Sequence, residues 1–175
     1  MNDTRNKAKL ERSPVVDEKV KSLLRECEQL STPEPKIEPT DLQEVYQNAI
    51  LGKYAVENLR PLSSDRGFRN LLLKQYKGYS AITKEMESYA DKFNIELHGV
   101  NMFSRGRMYF GTLVSTIGNR SNSKLAELMI QGLNMGIVSM TKILNKKSNE
   151  ESGMDFAKVM LEVLHANLEE MKLFL

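Results

Sequence analysis

From position 41 onward, apolar residues recur at steps of three and four, the spacing that places side chains on one face of a helix. In the first such segment Leu42, Val45, Ala49, Gly52, Val56 and Leu59 share a face. Thr40 or Asp41 is placed to cap it, and Glu44 falls where a capping box needs it. Pro61 ends the segment, and Ser63, Ser64 and Asp65 make the turn. A second segment, 65–94, carries an unbroken seam: Phe68, Leu72, Gln75, Tyr79, Ile82, Met86, Tyr89 and Phe93. A third begins after the cap-rich run 121–123 and extends to about 147, with Met129, Leu133, Gly136, Met140 and Ile143 facing inward. The polar turn 148–153 leads into the last segment, 154–175, whose inner face is Met160, Leu164, Asn167 and Met171.

Short turns within the first and second pairs predict two antiparallel hairpins. The long stretch 95–123 joins them and lets the halves pack together. The first and third segments match when shifted by 84 positions, Gln47 and Gly52 falling on Gln131 and Gly136. This is the trace of an internal duplication. A glycine inside a helix costs about 1 kcal/mol relative to alanine, so Gly52 and Gly136 mark places where a neighbouring helix comes close. The predicted fold is an all-α, antiparallel four-helix bundle over 41–175, with an extra amphipathic helix in the crossover.

Residues 1–40 differ in kind. They hold eight Lys or Arg, eight Asp or Glu and four of the five prolines. Within them, 15–30 has helical spacing, with Val16, Val20, Leu23, Leu24 and Cys27 on one face. The run 31–40 is broken by three prolines and reads as an extended linker. Two readings stand: a tail, or an arm that docks through its apolar stripe on its own bundle or on a partner.

Composition narrows the function classes. Lys and Arg number 25 against 23 Asp and Glu, a net charge of +2. Such a balance makes no electrostatic case for nucleic acid. One cysteine permits no intrachain disulfide, no stretch has the length and apolarity of a transmembrane helix, and the first residues lack the apolar core of a signal peptide. These features together point to the cytoplasm. Ten methionines and no tryptophan fit a helical core filled by flexible, unbranched side chains. Neither a Gly-rich phosphate loop nor a nucleophile–base pattern is present, so the chain reads as non-catalytic.

The stretches DLQEVYQNAILGKYAVENL, LLLKQYKGYSAITKEME, SKLAELMIQGLNMGIVSMTKIL and LHANLEEMKLFL resemble a group of bacterial proteins built on ferritin-like four-helix bundles, to which no activity is assigned. The resemblance covers 41–175 and implies a fold without a function.

Ferritin-like proteins often hold two iron or manganese ions. They use a Glu from each of two helices and an E-x-x-H from each of the other two, all facing inward. The chain has one E-x-x-H, Glu162 with His165. At 100° per residue both fall on the outer face of the last helix. The matching stretch of the second segment is Gln75-Tyr76-Lys77-Gly78, without a ligand. No cofactor is therefore expected, iron or manganese at Glu162 and His165 being the alternative. The inward polar positions are Gln75, Tyr79 and Asn167, flanked by Tyr46 and Tyr76. They read as a neutral hydrogen-bond network or as a small polar ligand pocket. In the crossover, Met102, Phe103, Tyr109 and Phe110 stand beside Arg105 and Arg107, a candidate interface. The expected activity is binding, as a homo-oligomer or to a protein partner. The alternative is a degenerate ferritin-like protein that keeps a metal or small ligand.

Overall fold

The computed structural model describes residues 39–99, 121–146 and 156–175. The described residues contain four α-helices and no strand: α1 (Pro39–Leu59), α2 (Arg66–Lys92), α3 (Asn122–Lys146) and α4 (Phe156–Met171). A 3₁₀ turn, Arg60–Leu62, follows α1, and another, Lys172–Phe174, follows α4. The stripe 15–30, the linker as far as 38 and the crossover positions 102–110 lie outside the described residues, whereas Pro39 and Thr40 of the expected linker belong to α1.

The helix ends follow local chemistry. Helix α1 starts at Pro39, a residue whose fixed φ suits the first helical position. Thr40 and Asp41 therefore lie inside the first turn rather than ahead of it, a correction to the expected cap. At the head of α2, the Asp65 carboxylate accepts from the Phe68 N–H at 2.6 Å. Ser63 Oγ accepts from the Asp65 N–H at 3.1 Å and donates to Asn122 Oδ1 at 2.6 Å, tying the α1–α2 turn to the start of α3. Helix α2 ends at Lys92, two residues before the expected Asn94. Asn94 takes the left-handed conformation (φ 54°), and the Ile95 N–H reaches the Ala90 carbonyl at 2.8 Å. That is a Schellman close with Asn in the place more often held by Gly.

Contacts between helices give their directions. Tyr46 meets Glu87, Gly52 meets Tyr79 and Lys53 meets Tyr76, so α1 and α2 are antiparallel. Lys74 meets Glu170 and Tyr89 meets Phe156, so α2 and α4 are antiparallel. Asp41 meets Lys146 and Asn48 meets Ser139, so α1 and α3 are antiparallel. It follows that α2 and α3 point the same way, and residues 93–121 join opposite ends of the assembly.

One apolar core runs through all four helices. Every expected inner position of α3 and α4 is buried. In α1 all are buried except Gly52, and in α2 all except Tyr89 and the residue after the helix, Phe93. None of the described helices is long and apolar enough to cross a membrane.

Candidate functional site

The inward polar residues form a short chain across the α2–α4 contact. Asn167 Nδ2 donates to the Tyr79 hydroxyl at 3.1 Å, and Gln75 Nε2 donates to the Asn167 carbonyl at 3.3 Å. All three side chains are buried. Gln75 Oε1 has no hydrogen-bond partner among the described residues. Such an orphaned acceptor is costly in a core, since the lost water is not replaced. Tyr46 and Tyr76 sit apart from this chain. Tyr46 donates to Glu87 Oε1 at 2.7 Å. Tyr76 bonds to Glu57, and Lys53 stands 5.6 Å over its ring.

Burial pushes the Tyr79 phenol up to about 12, against the smaller opposing effect of the Asn167 hydrogen bond. Burial and the neighbouring Glu87 carboxylate raise Tyr46 to about 12. Neither tyrosine can ionise near neutrality, so the cluster holds no proton-transfer group and acts as fixed polarity. The linkage has a definite sign. An unfolded tyrosine ionises near pH 10. Below that pH both states are protonated and the contribution to stability is complete. Between 10 and 12 only the unfolded state loses its proton, and stability falls. The urea midpoint is expected to drop across this window and to drop less in Tyr79→Phe. Equal slopes in both chains would assign the loss to other groups.

The E-x-x-H pair, Glu162 and His165, lies on α4. His165 is exposed and Glu162 half-buried on α4. No group of three or more His, Cys, Asp or Glu side chains able to hold a metal ion occurs among the described residues. The described residues therefore do not offer the ligand set of a ferritin-type di-metal centre.

A recess lies elsewhere, between α1 and α3. One end of this contact is fastened by polar groups: Ser139 Oγ donates to Glu44 Oε1, Asn48 Nδ2 donates to Ser139 Oγ at 3.4 Å, and Lys146 stands 3.7 Å from Asp41. Beyond that end is a cleft of about 270 Å³. Leu51, Gly52 and Ala55 form its α1 wall, and Leu128, Gly132 and Met135 form much of its α3 wall. Tyr79 and Leu164 lie beneath. Met135 is 62% exposed, and Val138, one helical turn along, is 53% exposed.

Glycine shapes this cleft. A Cβ on Gly52 would lie 2.6 Å from the Tyr79 ring, and one on Gly136 would lie 3.0 Å from Leu164 Cδ1. Both are close approaches of the kind their mid-helix positions imply. Gly132 differs, for a Cβ there meets nothing within 4 Å and points into open space. Helical periodicity alone does not predict the cleft. Its signal was present in Leu128, Met135 and Val138, apolar residues off the inner seam of the third segment.

Compared with family models, curated proteins and solved structures, the chain matches none of them.

Proposed function

We propose that this chain is a non-catalytic helical-bundle protein that acts by binding, and that the α1–α3 cleft receives an apolar helix face, from a second copy or from a protein partner. The observation that carries the reading is the cleft itself, apolar, with glycines in its walls and exposed Met135 in its lining. An amphipathic helix laid in a groove anchors through side chains one turn apart, and small residues in the walls let its backbone come near. The helix directions support a ferritin-like arrangement of two hairpins joined by a crossover. They support the scaffold only, because a metal chemistry needs inward carboxylates that α1 to α4 do not bring together.

The test is light scattering over a concentration series, with elemental analysis on the same sample from iron- and manganese-supplemented medium. A metal-free chain is expected, with a mass that rises above the 20.0 kDa monomer at high concentration and returns to it in Met135→Asp. One or two ions per chain would overturn the reading in favour of metal storage or redox chemistry. A mass fixed at the monomer value at every concentration would sink self-association.

A further inference from the structure

We infer that the occupant of the α1–α3 cleft is a second copy of this chain, its α3 lying antiparallel to the first copy's α3, with Met135 of each entering the cleft of the other. The inference rests on the proposed role of the cleft as a binding surface, and it fixes the partner, the helix direction and the register.

The outer face of α3 carries a seam of its own. Leu128, Gln131, Met135, Val138 and Lys142 follow one another at steps of three, four, three and four. That is the mean spacing of about 3.5 residues by which one helix lies along another. Leu128, Gln131 and Met135 also line the cleft, so seam and cleft form one surface. No charged side chain stands among the described residues of the lining. Charges stand at the two ends of the seam instead. Glu127 is at one end, joined to Lys124 at 2.5 Å, and exposed Lys142 is at the other.

Shape and charge both favour a second copy set antiparallel. A projecting side chain on such a seam enters a hole bounded by residues i, i+3, i+4 and i+7 of the facing helix. With a twofold axis between positions 134 and 135, the hole that meets Met135 is Gln131, Asn134, Met135 and Val138 of the second copy. Beside it is Gly132, where a Cβ would meet nothing within 4 Å, so an unbranched thioether finds room there. The patch thus carries both the projecting side chain and the space that takes it, as an interface between identical copies must. Under the same axis, position 127 of one copy faces position 142 of the other. Each Glu127 then meets a Lys142, and the pairing occurs twice. A parallel pair would set Glu127 against Glu127 and Lys142 against Lys142, which repel. Exposed pairs of this kind add modestly to affinity and decide direction.

The experiment is sedimentation equilibrium on the full chain at low salt. It compares the dimer Kd of the native chain, Glu127→Lys, Lys142→Glu and the double variant Glu127→Lys/Lys142→Glu. Both positions lie outside the buried core, so helix content by circular dichroism should stay unchanged. Each single variant turns two attractions into two repulsions and is expected to raise Kd by roughly tenfold. The double variant exchanges the signs and restores both pairs, and its Kd should return to within about threefold of the native value. About 1 M salt should erase the differences. A native dimer whose Kd neither single variant moves would overturn the inference, and so would a double variant as weak as the singles. The cleft reading survives both results if Met135→Asp still returns the chain to monomer, because a second copy then occupies the cleft in another register. A Kd unchanged in Met135→Asp would sink the cleft reading and this inference with it. A chain monomeric at every concentration overturns the second copy as occupant and leaves the cleft to a protein partner.

Discussion

Gly52→Ala is expected to destabilise the protein by about 3 kcal/mol, although alanine is the better helix former by about 1 kcal/mol. The new methyl would lie 2.6 Å from two atoms of the Tyr79 ring and 2.9 Å from a third. A flexible side chain would swing aside at little cost. Tyr79 has no such freedom: it is 1% exposed, and its hydroxyl accepts from the buried Asn167 amide. Moving the ring strains a packed core, at about 1–3 kcal/mol, and breaks a buried hydrogen bond, at about 1–3 kcal/mol more. The helical gain offsets only part of this. Thermal unfolding should show a fall in Tm of roughly 6–12 °C. Gly132→Ala is the paired control, because its methyl meets nothing and only the helical gain remains. That variant should be slightly more stable than the native chain. A Gly52→Ala chain as stable as Gly132→Ala would show that α1 and α2 part easily, and that the close approach is incidental.

Phe68→Ala is expected to cost about 3–5 kcal/mol, the range for removing a buried aromatic ring. Phe68 is fully buried in the first turn of α2, and it meets Phe174 edge-on with centroids 5.0 Å apart. Loss of the ring leaves a void at the head of α2 and removes the partner that holds the last 3₁₀ turn against the core. The check is the urea midpoint, which should fall with an unchanged slope. A loss under about 1.5 kcal/mol would mean that Phe174 and its turn collapse into the void.

The helices were legible in the sequence because each buries one face. A 3.6-residue period places Met129, Leu133, Gly136, Met140 and Ile143 together with no tertiary information. The polar chain was legible for the same reason: Gln75, Tyr79 and Asn167 sit on seams that are otherwise apolar. Tyr46 and Tyr76 show the limit of such arguments. Both were placed beside the cluster by angle, yet a long side chain at the edge of a seam turns toward whichever carboxylate is near, here Glu87 and Glu57. The cleft was hidden for a different reason. It is a property of the space between two helices, set by how far α1 and α3 stand apart, and periodicity along one helix carries no distance to another. The start of α1 was missed by two residues because Pro39 reads as a breaker in a proline-rich run and as a helix opener only once the following turn forms.

The parallel setting of α2 and α3 bears on how the chain reaches this structure. Contacts inside the α1–α2 hairpin, such as Tyr46 with Glu87, close loops of 41 residues. The Asn48–Ser139 contact closes one of 91. Loop closure precedes the reward of a contact, so the local hairpins assemble quickly and the junction of α1 with α3 forms late. The late event on the folding route is then the docking of the two hairpins, which closes the 91-residue loop at Asn48–Ser139 and the 96-residue loop at Lys74–Glu170 and brings the cleft walls together. Substitutions confined to those walls should change the unfolding rate and leave the folding rate nearly untouched.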